Sequence, residues 1–168
     1  VNAYNPLKDN GMKVFIGTVT TGACLSVVSQ TKADNMFQIT PSASAAKVIA
    51  NDNCFQVCFT DPNQGTASAD YIASKGLATK VAVIYNSSDA YSSGIYDNFK
   101  AEAAAKGLDL VASEAFTGDS KQDFSSQLSK IKASGAELIF LPIYYQEASL
   151  ILSQAKNAGI TAKFFGCD

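Results

Sequence analysis

The chain has 168 residues, of which 47% are hydrophobic and 17% charged, and this balance predicts a globular fold rather than disorder. Its 13 basic and 15 acidic residues give a net charge of -2 and are scattered singly, which disfavours a nucleic-acid partner. No apolar run approaches the roughly 20 residues that cross a bilayer. Histidine is absent, so the usual general base and the commonest zinc ligand are both missing, and an enzyme is disfavoured.

Short runs rich in β-branched and aromatic residues alternate with helical patterns along most of the chain. This alternation predicts an α/β fold that is doubly wound, with mostly parallel sheets and helices on both faces. Seven strands are predicted, at residues 13–16, 36–39, 54–59, 80–85, 108–116, 137–143 and 163–165.

The helices between these strands carry boundary signals of their own. Asp61 and Pro62 predict a helix start, because Asp can cap a helix and Pro suits the first helical position. A capping-box spacing at Ser120 predicts a second start, and Gly135 supplies a left-handed stop for that helix. Apolar residues at helical spacing predict two more helices, around 95–103 and 148–155.

The four cysteines give no disulfide framework that spacing alone can define. Cys54 and Cys58 lie on one predicted strand, roughly 13 Å apart, which is too far for a disulfide or a shared metal. Small buried hydrophobic side chains are the simplest interpretation of all four. A bridge between Cys24 and Cys54 stays open, and no metal site is predicted.

Polar side chains follow the carboxyl ends of most predicted strands, where doubly wound sheets bind their ligands. In chain order, these side chains belong to Thr21, Ser44, Asp61, Tyr91, Tyr144 and Asp168. Hydroxyls and helix-terminal amides can bind a carboxylate, and an acid can accept a hydrogen bond from an ammonium group. Tyrosine rings can pack against the remainder of the ligand. The pattern predicts a site for a small zwitterion, the alternative being that each residue only caps a helix.

Two other kinds of site lack their motifs. Gly17 and Gly22 have the spacing of a phosphate loop, but Ala23 and Cys24 stand where Lys and Ser or Thr are required. No Gly-x-Gly-x-x-Gly sequence occurs, so a dinucleotide has no fingerprint and no cofactor is predicted. Asp89 is predicted to be a solvated surface acid.

Several sequence blocks occur together in a familiar order. They include Phe-Ile-Gly-Thr-Val-Thr-Thr-Gly (15–22), Ile-Thr-Pro-Ser-Ala-Ser (39–44), Cys-Phe-Thr-Asp-Pro-Asn-Gln-Gly (58–65), Ser-Ser-Asp-Ala-Tyr-Ser-Ser-Gly (87–94) and Phe-Gly-Cys-Asp (165–168). On these blocks the chain resembles type I periplasmic binding proteins of the leucine/isoleucine/valine-binding group, and especially lipoproteins of Gram-positive bacteria. The resemblance spans nearly the whole chain.

The resemblance implies ligand-binding roles for residues of both halves. Thr21 and Ser44, with the backbone near Ala43, are similar to the group that holds the ligand α-carboxylate. Asp168 is similar to the acid that receives the α-ammonium.

Tyr91 and Tyr144 are similar to the tyrosines that close over the ligand from the second lobe. Asp61 matches the acid at the crossing between lobes. Ser92 departs from the family, which often has Gly after the first of these tyrosines, and this change could alter how Tyr91 is presented.

The family resemblance also implies an organisation and a function. Residues 1–59 correspond to the latter part of lobe 1, and residues 60–168 to most of lobe 2, within a longer two-lobed protein. Such proteins bind a small amino acid, here a branched-chain or other apolar one, by hinge closure and deliver it to the membrane permease of an ABC importer. The implied location is extracytoplasmic, on the surface of a Gram-positive bacterium or in a Gram-negative periplasm.

Two other functions are compatible with the predicted α/β fold. A ligand-sensing receptor ectodomain uses the same fold, and a small flavodoxin-like enzyme would need a bound cofactor. Parallel strands are apolar on both faces, so strands that no helix covers favour self-association of the chain.

Overall fold

The computed structural model describes residues 1–167, and the chain divides into two compact units. Unit 1 is Val1–Asp61, and unit 2 begins at Pro62. Each unit contains one parallel sheet, and each is described by itself. Within residues 1–167, no helix combines the length and the apolar character that crossing a membrane requires.

Unit 1 contains a three-stranded parallel sheet in the order β1-β2-β3. The strands are β1 (Val14–Ile16), β2 (Phe37–Thr40) and β3 (Cys54–Gln56). The helices are α1 (Tyr4–Asp9), α2 (Thr21–Leu25), α3 (Val28–Ala33) and a short 3-10 helix (Ala46–Ile49). These short helices follow from the many hydroxyl and small residues of this region, which favour turns and caps over long helices.

The two faces of the unit 1 sheet differ sharply. One face carries Gln38 and Cys54, which are buried beneath α2 and α3. The opposite face carries Val14, Ile16, Phe37 and Phe55, each at least 45% exposed, and the rings of Phe37 and Phe55 stack at 5.4 Å. These four residues form what we call the open sheet face. An exposed apolar surface of this kind marks a contact surface.

Unit 2 contains a four-stranded parallel sheet in the order β5-β4-β6-β7. The strands are β4 (Lys80–Asn86), β5 (Asp109–Phe116), β6 (Leu138–Leu141) and β7 (Lys163–Gly166). The helices are α4 (Asp61–Ser74), whose first residue closes unit 1, α5 (Ala90–Ala105), α6 (Ser125–Ser134) and α7 (Tyr145–Asn157). Strand and helix alternate throughout, because parallel neighbours need a crossover connection between them.

Helices cover both faces of the unit 2 sheet. Ile72 of α4 and Phe99 of α5 pack against Val83 on one face. Leu128 of α6 packs on the other face, with Ile84. The predicted fold class is confirmed, because both sheets are parallel and helices flank them.

One glycine sets how closely two of these helices approach. A methyl group on Gly65 of α4 would lie 2.5 Å from the carbonyl oxygen of Ile95 in α5. Only a residue without a side chain fits there, and Gly65 therefore permits the close packing of α4 on α5.

The seven predicted strands are all found in residues 1–167, with shifted ends, and one helix start is wrong. The third strand stops at Gln56 instead of residue 59. Helix α6 starts at Ser125 instead of Ser120, because the Ser120 hydroxyl accepts the Thr117 N–H at 3.0 Å and closes a separate turn. The Asp123 carboxylate accepts the Ser125 N–H at 2.9 Å. The predicted left-handed stop at Gly135 is confirmed, with φ of 71°.

Replacing Leu128 with Ala tests the core of unit 2. Leu128 is 1% exposed, so we expect Leu128→Ala to lower the free energy of unfolding by about 2–5 kcal/mol, since truncation leaves a cavity. Leu152→Ala is the matched control, because Leu152 is 43% exposed. This variant should lower the free energy of unfolding by less than about 1 kcal/mol. Urea unfolding followed by circular dichroism measures both. Equal losses in the two variants would contradict this packing.

Candidate functional site

Parallel pairing places the carboxyl ends of all strands of a sheet at the same edge. In unit 1, Thr21 follows β1, Ala43 and Ser44 follow β2, and Asp61 follows β3. All four residues are buried, at 3% exposure or less. The loops at this edge therefore bring together four of the residues that the sequence singled out.

The Thr21 hydroxyl is the centre of this arrangement. Its oxygen accepts the Ser44 N–H at 3.2 Å and the Ala45 N–H at 3.3 Å. A threonine hydroxyl has two lone pairs and one hydrogen. Because two amides occupy the lone pairs, the oxygen is held in place and its hydrogen is the group that it can donate to an anion.

Further hydrogen bonds join the loops after β1 and β2. The Thr40 hydroxyl donates to the Thr18 carbonyl at 2.5 Å and accepts the Ala43 N–H at 3.0 Å. The Ser42 hydroxyl donates to the Val19 carbonyl at 2.8 Å. The Ala43 N–H is thus already used within the loop, so it is not a free donor for an anion.

Asp61 is joined to the same loops through its backbone. Its N–H donates to the Ser44 carbonyl at 2.9 Å, and the residue is 2% exposed. Asp61 is also the first residue of α4, where a negative charge interacts favourably with the helix dipole.

In unit 2 the starts of two helices bring two tyrosines together. Tyr91 is the second residue of α5, and Tyr144 immediately precedes α7. Their rings stack with centroids 4.8 Å apart and planes inclined by 14°. Tyr91 is 4% exposed and Tyr144 is 37% exposed, so the pair presents mainly the Tyr144 ring to solvent.

Cys167 adds the end of a third strand to this tyrosine pair. It follows β7, and its Sγ lies 3.4 Å from the Tyr91 hydroxyl. Spacing along the sequence did not indicate this contact, since the two residues are 76 positions apart. Asp168, the predicted ammonium acceptor, lies outside the described residues.

Asp89 and Ser92 fix the start of α5 on either side of Tyr91. The Asp89 carboxylate caps the helix by accepting the Ser92 N–H at 3.0 Å. The Ser92 hydroxyl accepts the Asn86 N–H at 2.8 Å and so ties the helix to the end of β4. The serine that departs from the family pattern therefore has a positioning role, and Asp89 is a partly buried cap instead of a solvated acid.

Glu147 is a buried acid beside these helix starts that sequence reasoning missed. It is 7% exposed, and its carboxylate lies 3.5 Å from the Lys121 ammonium. Burial raises the pKa of Asp89, the negative charge of Glu147 adds to this increase, and the Ser92 N–H opposes it. The spacing of Glu147 was the sequence signal for its position, since Glu147 lies one helical turn after Tyr144.

An apolar groove of about 480 Å³ lies beside Tyr144 at the carboxyl edge of β6 and β7. Its lining includes Ile143, Leu152 and Phe165. A groove with so few polar groups favours apolar ligand or protein atoms over a charged group.

Replacing Asp89 with Asn tests the charge at the start of α5. A carboxyl with a raised pKa binds its proton more tightly in the folded state, so the free energy of unfolding falls as pH rises through that pKa. Asp89→Asn keeps the acceptor for Ser92 but cannot ionise, and we expect it to be more stable than the wild type at pH 7. Asp89→Ala loses the cap, and this variant should have a free energy of unfolding about 1 kcal/mol lower than the wild type.

Urea unfolding at pH 5 and pH 7 distinguishes these effects. The stability difference between Asp89→Asn and the wild type should be smaller at pH 5 than at pH 7, because a raised pKa makes the wild-type carboxyl take up its proton more readily as the pH falls. An asparagine variant that is less stable than the wild type at both pH values would contradict the assignment.

Comparisons with known proteins agree over the whole described chain. A family model described as periplasmic binding protein matches residues 1–167. The Leu/Ile/Val-binding protein homolog 3 of Brucella melitensis is 33% identical over 168 residues, which cover 99% of this chain and 45% of that protein. The leucine-, isoleucine-, valine-, threonine-, and alanine-binding protein of Pseudomonas aeruginosa is 27% identical over 99% of this chain and 44% of its own length.

Solved structures give the same result. The leucine-binding protein LivK of Thermotoga maritima matches with a TM-score of 0.90 and 26% identity, over 98% of this chain and 47% of that one. LivJ of Streptococcus pneumoniae, a branched-chain amino acid transporter substrate-binding protein solved with isoleucine, matches with a TM-score of 0.87 and 28% identity, over 96% and 46%. The chain spans about half the length of these relatives. It belongs to the periplasmic binding protein family.

Proposed function

We propose that this chain is part of the substrate-binding component of an amino-acid ABC importer, and that it binds a branched-chain or other apolar amino acid without catalysing a reaction. One observation carries the proposal: the strand ends of unit 1 hold a positioned hydroxyl at Thr21, and those of unit 2 hold the stacked pair of Tyr91 and Tyr144. The names of the relatives support the ligand class, since both names refer to the binding of leucine, isoleucine and valine.

The ligand carboxylate is assigned to unit 1. The Thr21 hydroxyl, whose oxygen two amides hold in place, donates its hydrogen to the carboxylate. The Ser44 hydroxyl is the second donor, and Ala43 lines the site between them. Two positioned hydroxyl donors suit the two oxygens of a carboxylate, because hydrogen bonds to an ionised acceptor are stronger than neutral ones.

The remainder of the ligand is assigned to unit 2. The rings of Tyr91 and Tyr144 cover the aliphatic side chain, since aromatic faces bury apolar groups at low entropic cost. Asp168 receives the ammonium group. Asp61 lies at the crossing from one half to the other, as the first residue of α4.

A two-lobed arrangement accompanies this assignment. Residues 1–59 are proposed to form the latter part of lobe 1, and residues 60–168 most of lobe 2, of a longer protein that closes about a hinge when the ligand binds. The closed form would be recognised by the permease of the importer. The proposed location is extracytoplasmic, either on a surface lipoprotein of a Gram-positive bacterium or in a Gram-negative periplasm.

Replacing Thr21 tests the carboxylate site. Thr21→Val keeps the shape of the side chain but removes the hydroxyl, and we expect it to weaken isoleucine binding by about 10- to 150-fold, the value of a hydrogen bond to a charged group. Thr21→Ser keeps the hydroxyl and should bind within a few-fold of the wild type. Isothermal titration calorimetry measures the dissociation constants.

The controls separate binding from folding. Thr161→Val changes an exposed threonine of unit 2 in the same way and should leave the affinity unchanged. Circular dichroism checks that each variant is folded. If the folded valine and serine variants bind isoleucine equally well, the carboxylate assignment is refuted.

Self-association through the open sheet face is a separate proposal. Phe55 is 49% exposed and stacks on Phe37, so we expect the 168-residue chain to form dimers or larger species as its concentration rises. Phe55→Lys places a charge on this face and should shift the chain toward monomers. Tyr145→Lys is the control, because Tyr145 is 79% exposed in unit 2. Light scattering that gives a monomer for the wild type at every concentration would refute the proposal.

A further inference from the structure

Two cysteines meet in the core of unit 1, although 29 residues separate them in the sequence. Cys24 lies in α2, and Cys54 is the first residue of β3. They are 0% and 3% exposed, and both belong to one apolar cluster with Val28 and Val48. Neither residue has a part in the proposed binding of an amino acid.

Hydrogen bonds and strand register bring the two sulfur atoms together. Gln38 of β2 is the register partner of Cys54 on β3, so their side chains share the buried face of the sheet. The Gln38 side-chain amide donates to Cys24 Sγ at 3.2 Å. Cys24 and Cys54 also pack in the same buried cluster, which includes Ala43 and Val48. The two cysteines therefore border the same Gln38 side chain, one through its amide and the other through the strand register.

We propose that Cys24 and Cys54 form an intramolecular disulfide when the chain folds in an oxidising compartment. The oxidant is an external disulfide, either glutathione disulfide or the disulfide of a thiol oxidoreductase. The thiolate of one cysteine attacks this disulfide, forms a mixed disulfide and releases one thiol. The second cysteine then displaces the other thiol. The two cysteines lose two protons and two electrons, and the external disulfide gains them as two thiols.

The bond forms during folding and not afterwards. Burial raises the pKa of the Cys54 thiol to about 11, and the neighbouring Cys24 contributes to the increase. The reactive thiolate is therefore scarce near neutral pH once the residue is buried. The same burial protects the completed disulfide from soluble thiols, so oxidation and reduction are both slow in the folded chain.

The disulfide would hold together two segments that carry proposed ligand-binding residues. Thr21 precedes Cys24 by three positions in the same helix, and the closed loop from Cys24 to Cys54 includes Ala43 and Ser44. Closing a loop of this size restricts the unfolded chain and raises stability. The link is independent of any ligand, so it can be tested whether or not the proposed function is correct.

The test is to refold the chain in a mixture of reduced and oxidised glutathione, alkylate the remaining thiols in denaturant and identify linked peptides by mass spectrometry without reduction. We expect a peptide pair that joins Cys24 to Cys54, with Cys58 and Cys167 alkylated. The intact protein should lose the mass of two hydrogen atoms, and its urea midpoint should rise relative to the same protein refolded with a reductant. Alkylation of all four cysteines, or a link between any other pair, would overturn the proposal.

Single variants provide matched controls that do not depend on one substitution folding well. Cys58→Ser and Cys167→Ser should keep both the Cys24 to Cys54 link and the gain in urea midpoint. Cys24→Ser and Cys54→Ser should lose both. If the wild type forms the link but its urea midpoint does not rise, the stabilising role is wrong. If a variant that lacks Cys24 shows the same midpoint gain, the pairing is wrong.

Discussion

Parallel strand pairing is the constraint on which the rest of this structure depends. Each strand must be followed by a connection that returns the chain to the start of the next strand, so every strand in a sheet ends at the same edge. Residues that follow strands are therefore collected at that edge even when they are far apart in the sequence. Thr21, Ser44 and Asp61 are gathered in this way in unit 1, and Tyr91 and Tyr144 in unit 2.

The strands and most helices were predictable because buried parallel strands appear as short apolar runs, and all seven lie where such runs occur in residues 1–167. The predicted start of α6 was wrong, because the Ser120 hydroxyl accepts the Thr117 N–H and closes a turn before the helix begins. The contacts that hold the site were not predictable. The bond from Ser44 to Thr21 joins residues 23 apart, and the contact of Tyr91 with Cys167 depends on how two helices and a strand end together.

The two units differ in how far helices cover the faces of their sheets. Unit 2 buries both faces of its sheet under helices, whereas unit 1 covers one face and leaves the open sheet face exposed. Around Thr21, the loops after β1 and β2 are joined by their own hydrogen bonds. A hydroxyl that is already held in position loses little freedom on binding, which is the physical basis of a preorganised site. The proposed disulfide would add a covalent link to the same segments.

The most direct test of the account is a titration of the ¹⁵N-labelled chain with L-isoleucine, followed by nuclear magnetic resonance. We expect saturable shifts of backbone amide signals that centre on Thr21, Ala43 and Ser44 in unit 1 and on Tyr91 and Tyr144 in unit 2, with little response to D-isoleucine. Shifts that never saturate, or saturable shifts that centre on the open sheet face instead, would contradict it.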